Sequence, residues 1–158
     1  MQLEIGVDDP RRDDVRSLIA RHLAFAAEVT PPGHVHALGD DRLVDPAITF
    51  FSARLDGALL GIGALRELDA ENCELKSMHT AAEARGRGVA AAVLEHLVAA
   101  ARARGYRRVS LETGTSAAFA PARALYRSRG FEPSEPFGDY TANPYSVCFT
   151  MTLRDGVA

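Results

Sequence analysis

A chain of 158 residues and 17.0 kDa has the size of a single domain and needs no disulfide or metal staples to bury a core. Hydrophobic residues make up 47% and charged residues 25%, which excludes whole-chain disorder, collagen and coiled coil. The net charge of −3 argues against a general nucleic-acid binder, no apolar run approaches the roughly 20 residues of a membrane span, and the N-terminus has no basic-then-apolar leader pattern, so a cytoplasmic protein with neither nucleic-acid nor membrane partner is expected.

Leu3, Ile5 and Val7 alternate with other residues and predict an opening strand, broken at Asp8-Asp9-Pro10. From Asp13 to Glu28 the positions Val15, Leu18, Ile19, Leu23 and Phe25 fit a helix, which Pro31-Pro32-Gly33 ends. His34 to Leu43 reads as a short second helix or a loop. Ala47 to Leu55 and Ala58 to Leu68 are strands joined at Asp56-Gly57, a type I′ hairpin signal. Glu74 to Thr80 is the next strand, with Glu74, Lys76, Met78 and Thr80 on one face by alternation. A turn from Ala81 to Gly88 leads into a helix from Val89 to Arg104, whose Val89, Val93, Leu94, Leu97, Val98 and Ala101 share a face. Gly105 occupies the position of a left-handed helix end. A strand over Arg107–Thr113, a helix over Pro121–Arg129 with Leu125 inward, and a final strand over Tyr145–Leu153 complete one mixed α/β domain. Cys73 and Cys148 lie in strand-like runs and read as buried thiols, and the five histidines are too scattered for a structural zinc, so no metal is expected.

The informative segment runs from Glu74 through Arg85-Gly86-Arg87-Gly88-Val89-Ala90. A strand that enters a glycine-bearing loop and then opens a long helix aims unpaired N–H groups and the positive end of the helix dipole at one spot, a site for phosphate. Gly86 and Gly88 let a ligand approach the backbone, and Arg85 and Arg87 add charge. A P-loop is excluded because no Gly-Lys pair exists, and a dinucleotide fingerprint lacks its third glycine and its downstream acid.

Arg85-Gly-Arg-Gly88-Val-Ala90 matches the [QR]-x-x-G-x-[GA] pattern, and Ala122-Arg-Ala-Leu125-Tyr126-Arg-Ser-Arg-Gly130-Phe131 matches A-x-x-L-Y-x-x-x-G-F. Together they make the chain resemble the GNAT-type N-acetyltransferases, small bacterial members in particular, over roughly residues 2 to 153. The resemblance implies a mostly antiparallel mixed sheet flanked by helices, with two parallel strands splaying at the acyl-CoA site, and one N-acetyltransferase domain over residues 1–158. It implies acetyl-CoA as cosubstrate and a primary amine as acceptor, a small molecule or amino acid rather than a protein, with direct transfer between them. A homodimer is common in such a family. By the same resemblance Met78, His79 and Thr80 would contact pantetheine through their backbone, Arg85 to Ala90 would hold the pyrophosphate, and Tyr126 would protonate the leaving thiolate. Phe119 stands where the family often has an Asn that touches pantetheine, leaving that contact to Thr113, Thr115 or Ser116.

The chemistry needs a group to take the amine's proton. Glu74 is the first candidate, unless it is tied up by Lys76 or a surface Arg, and His79 is its rival. His34, His36 and Glu112 are candidates for the acceptor side, and the loop Pro136–Tyr140 could wall it. The acids Glu28, Asp40, Asp41 and Asp45 hint at a cationic acceptor. A non-catalytic acyl-CoA sensor and a protein N-terminal acetyltransferase are the alternative functions.

Overall fold

The computed structural model describes residues 2–39 and 41–153. Seven strands form one sheet in the order β1-β2-β3-β4-β5-β7-β6. They are β1 (Glu4–Val7), β2 (Ile48–Leu55), β3 (Ala58–Glu67), β4 (Asn72–Thr80), β5 (Arg108–Gly114), β6 (Glu132–Ser134) and β7 (Ser146–Thr152). Among the described residues, three α-helices accompany it: α1 (Asp13–Val29), α2 (Val89–Ala103) and α3 (Ala120–Ser128). The β2–β3 hairpin turns on Asp56 and Gly57, both at positive φ (51° and 85°), as a type I′ turn requires. The six predicted inward residues of α2 are all buried. On α3 the buried residue is Tyr126, while Leu125 is half-buried. Cys73 and Cys148 are buried free thiols. Among the described residues, no helix is long and apolar enough to cross a membrane.

The structure decides one open reading and adds one strand. The described part of residues 34–43 holds turns rather than a helix, with the N–H groups of both Arg42 and Leu43 bonded to the Gly39 carbonyl. Its apolar residues are too few to present a continuous helical stripe, and buried Leu43 anchors it in the core with half-buried Leu38 packed alongside. The short strand β6 escaped prediction because Pro133 sits in it. Proline is tolerated there since β6 is a sheet edge, paired only with β7.

All strand pairings are antiparallel except β4 with β5. That parallel ladder covers only Asn72–Leu75 against Arg108–Leu111. Beyond it β4 stays with β3, through His79 opposite Ile62 and Thr80 opposite Gly61, while β5 stays with β7 as far as Gly114 opposite Ser146. The two strands therefore part, and a cleft opens between them.

A bulge accompanies the parting. Gly63 of β3 faces both Ser77 and Met78, and Ser77 takes a left-handed φ of 58°. The extra residue overturns the alternation expected along β4. A Cβ at Gly63 would lie 3.0 Å from Met78 Sδ and 2.7 Å from Leu97 Cδ1, so Met78 faces α2. His79 instead meets His22 and Phe25 of α1. Glu74 and Lys76 lie on one face of β4, and the bulge gives that face His79 in place of Met78. Gly63 also lets α2 approach the sheet, so Gly63→Val should cost about 1–3 kcal/mol through overpacking, measured as a lower denaturant midpoint at unchanged slope.

Candidate functional site

The loop that opens α2 is built as the sequence predicts. Gly86 and Gly88 have φ of 76° and 80°, Gly88 is the helix N-cap, and no side chain caps it. The first N–H groups of α2 thus have no partner within the helix and point toward the loop. Val89 sends its side chain into the core, so it can serve a ligand only through its backbone. A Cβ at either glycine would meet nothing within 4 Å. Gly88→Val should therefore leave a folded protein whose loop is strained by about 1–2 kcal/mol, and calorimetry should show CoA binding at least tenfold weaker.

Two cavities flank the parted strands and share a throat of Met78, Phe119, Ala122 and Tyr126 together with His22 and Ala26 of α1. The first cavity, about 460 Å³, reaches the anion loop and is lined by Met78, His79, Thr80, Arg85, Gly86 and Ala90. The second, about 120 Å³, has room for on the order of ten waters and is lined by His34, His36, Lys76, Glu112, Thr113 and Tyr145 among others. Most of the predicted site residues are thus brought to one continuous cleft, with Tyr126 reaching both ends. Arg87 and Gly88 belong to the loop but line neither cavity. Ser116 lies in the turn before α3, where its carbonyl accepts from Arg123 Nη1 at 2.9 Å, and Thr115 Oγ1 donates to the Pro144 carbonyl at 2.7 Å. Neither lines the cleft. Phe119 fills the throat, its ring packed where a Cβ on Gly114 would stand and edge-on to Phe25 at 5.3 Å.

The acid–base groups sort themselves by burial. Glu74 is 1% exposed and lines neither cavity. Its carboxylate accepts from Tyr140 Oη and from Lys76 Nζ at 3.2 Å, with Arg66 Nη1 3.8 Å away. It is a buried counter-charge rather than a group facing an amine. His79 Nδ1 lies 3.1 Å from His22 Nδ1, and burial, followed by nearby positive charge, pushes each imidazole down to about 4, so the pair stays neutral, one ring donating and the other accepting. His79 is thus a packing and hydrogen-bonding residue at the loop end of the cleft. Glu112 is the first residue of β5 beyond the parallel ladder, half-buried on the wall of the second cavity. Burial, helped by the charge of Glu74 and opposed by Lys76, holds its carboxyl up at about 7. Burial and then the charge of Glu112 push the Tyr126 phenol well above its usual range, so it remains a proton donor.

Sequence reasoning named Lys76 only as a partner for Glu74, a pairing the structure contains, and missed His22 and Tyr145. His22 continues the buried stripe Val15, Leu18, Ile19 toward Ala26, and that spacing could have revealed it. Lys76 and Tyr140 meet across 64 residues, which no local pattern shows. His34 and His36 stack on Tyr145 and Tyr140 at ring distances of 4.7 and 5.0 Å. Glu28, Asp41 and Asp45 do not line the acceptor-side cavity, and Asp40 falls outside the described residues.

Among the described residues the sheet splits at its one parallel pair, with the glycine loop that opens α2 at one end of the opening and Glu112 and Lys76 at the other, and the family that shares this plan is one of acetyltransferases. The chain belongs to the acetyltransferase (GNAT) family, whose model matches residues 15–131. It is 47% identical over 151 residues to the uncharacterized N-acetyltransferase YsnE of Bacillus subtilis (strain 168), covering 96% of this chain and 100% of that protein. It is 34% identical over 151 residues to a protein of Azospirillum brasilense named IAA acetyltransferase, covering 94% and 97%. A GNAT family acetyltransferase from Elizabethkingia anophelis, solved with acetyl-CoA bound, shares the fold at a TM-score of 0.70 and 16% identity, covering 96% of this chain and 98% of that one.

Proposed function

We propose that this protein transfers the acetyl group of acetyl-CoA directly to the primary amine of a small molecule. The observation that carries the reading is the continuous cleft between β4 and β5, with the Arg85–Ala90 loop at one end, Glu112 at the other and Tyr126 in the shared throat. The pyrophosphate would lie on the N–H groups opening α2 with Arg85 beside it, and pantetheine would run along Met78, His79 and Thr80. The acetyl-CoA-bound neighbour of the same fold supports that donor. The name of the Azospirillum relative gives IAA as the acceptor of that protein, whereas the amine is proposed here from the groups in the acceptor-side cavity.

An ammonium entering the acceptor-side cavity gives a proton to Glu112 and becomes a nucleophile. Its nitrogen bonds to the thioester carbon, the C–S bond breaks, the thiolate takes the Tyr126 hydroxyl proton, the proton released by the adduct nitrogen restores that hydroxyl, and Glu112 returns its own proton to solvent. The room on the acceptor side favours a small acceptor over an extended peptide. Excess acetyl-CoA should raise Tm by several degrees, since it binds only the folded chain, while NADH and ATP should do far less. Thiol release across a panel of amines then separates an enzyme from an acyl-CoA sensor, which would show the Tm shift with no turnover.

A further inference from the structure

The acceptor-side cavity carries donors that a bare amine does not need. Lys76 lines it with a side chain only 8% exposed. Its Nζ lies 3.2 Å from Glu74 Oε2 and donates to Tyr140 Oη at 2.8 Å. An ammonium has three N–H donors, so one remains beyond these two partners. Arg66 shares the same carboxylate at 3.8 Å, so Lys76 is not the sole counter-charge of Glu74.

Beside Lys76, the bulge turns Ser77 to the same cavity in a left-handed conformation. Its Oγ is buried with no hydrogen-bond partner. A buried hydroxyl left unpaired in a strained, cavity-lining residue is a place where a ligand atom belongs. Among the described residues that line the cavity, Glu112 is the one carboxylic acid. The wall thus offers one proton acceptor and, next to each other, one cation and one unused hydroxyl.

We infer that the acceptor amine carries a carboxylate, bound by Lys76 Nζ and Ser77 Oγ while its amino group faces Glu112, so that the substrate class is a small amino acid or amino carboxylate rather than a polyamine or a neutral amine. This rests on the amine-acetylating reading above.

The test compares free amino acids with their carboxamides, which keep the amine and side chain and lose the negative charge. Thiol release at saturating acetyl-CoA should give kcat/KM at least about tenfold higher for the free acids, the scale of one hydrogen bond to a charged group. Ser77→Ala, which leaves the Lys76–Glu74 pair intact, should reduce kcat/KM several-fold more for the acid than for the carboxamide. Lys76→Met alone would strand a buried carboxylate. The double variant Glu74→Gln/Lys76→Met removes both charges and should bring the acid-to-carboxamide ratio close to one. Wild-type rates that are equal, or faster for carboxamides, overturn the inference and leave amine acetylation standing. A Tm shift with acetyl-CoA but no thiol release on any amine overturns the amine reading and the inference together. If the double variant does not fold, the wild-type ratio and Ser77→Ala still decide the matter.

Discussion

Glu112→Gln is expected to lower kcat by about 10²- to 10³-fold on a good acceptor while leaving acetyl-CoA binding close to that of the wild type. The amide keeps the shape and the hydrogen-bonding reach of the carboxylate and loses its ability to take a proton. Glu112 stands on the cavity wall where β5 has left β4, and burial holds its carboxyl up at about 7. The wild-type kcat/KM should therefore rise with pH through about 7 as Glu112 ionises, and that limb should vanish in the variant. Folding stability should respond in the opposite sense. A carboxyl whose folded pKa lies above its unfolded 4.5 binds more protons folded than unfolded between those values, so its ionisation lowers stability as pH rises from about 4.5 to about 7. Glu112→Gln should then melt above the wild type at pH 8 and level with it at pH 4. A variant that retains the limb near 7 would move the base elsewhere in the cleft.

The elements that position the donor were legible because their signals are local. The α2 stripe repeats at helical spacing, Asp56-Gly57 demands positive φ, and the glycines before Val89 fix a loop that any neighbouring strand would leave open. Tyr126 was legible from its motif and from its place on α3. The acceptor half was not, because it is made by contacts between distant segments. Alternation placed Glu74 and Met78 on one face, but the bulge at Ser77 divides them, and nothing in the residues 72–80 shows that β3 will offer one glycine against two residues. Glu74 and Glu112 look alike in sequence, each a carboxylate within an apolar strand. What separates them is the loop that brings Tyr140 onto Glu74, and the loss of β4 as a partner for β5 beyond Leu111. The scattered acids Glu28, Asp41 and Asp45 suggested a cationic acceptor from composition alone, whereas the cavity they were assigned to is walled by Lys76, three imidazoles and one carboxyl.

Tyr126→Phe should reduce kcat by roughly 10²-fold, within the range for a general acid, with CoA affinity little changed. The ring packs against Phe131 and Phe149 at 5.9 and 6.4 Å between centroids, and phenylalanine keeps those contacts, so the variant should fold. In the proposed reaction the hydroxyl is the working group. Burial and the neighbouring charge of Glu112 keep the phenol protonated across the working pH range, and because its phenolate is a stronger base than a thiolate, it gives its proton to the departing sulfur only as it takes up the proton that the adduct nitrogen releases. The loss should therefore depend on the leaving group. With acetyl-CoA the variant should be slow. With p-nitrophenyl acetate as donor, whose leaving phenolate needs no proton at neutral pH, variant and wild type should differ by no more than about twofold, because the step that Tyr126 assists is then absent. Equal losses with both donors would show that Tyr126 orders the throat by packing and leaves the thiolate to be protonated by water. A parallel loss of CoA affinity in calorimetry would make its hydroxyl a contact to the cofactor. Loss confined to the acetyl-CoA reaction, with affinity intact, is the pattern that a phenol acting on the thiolate alone produces.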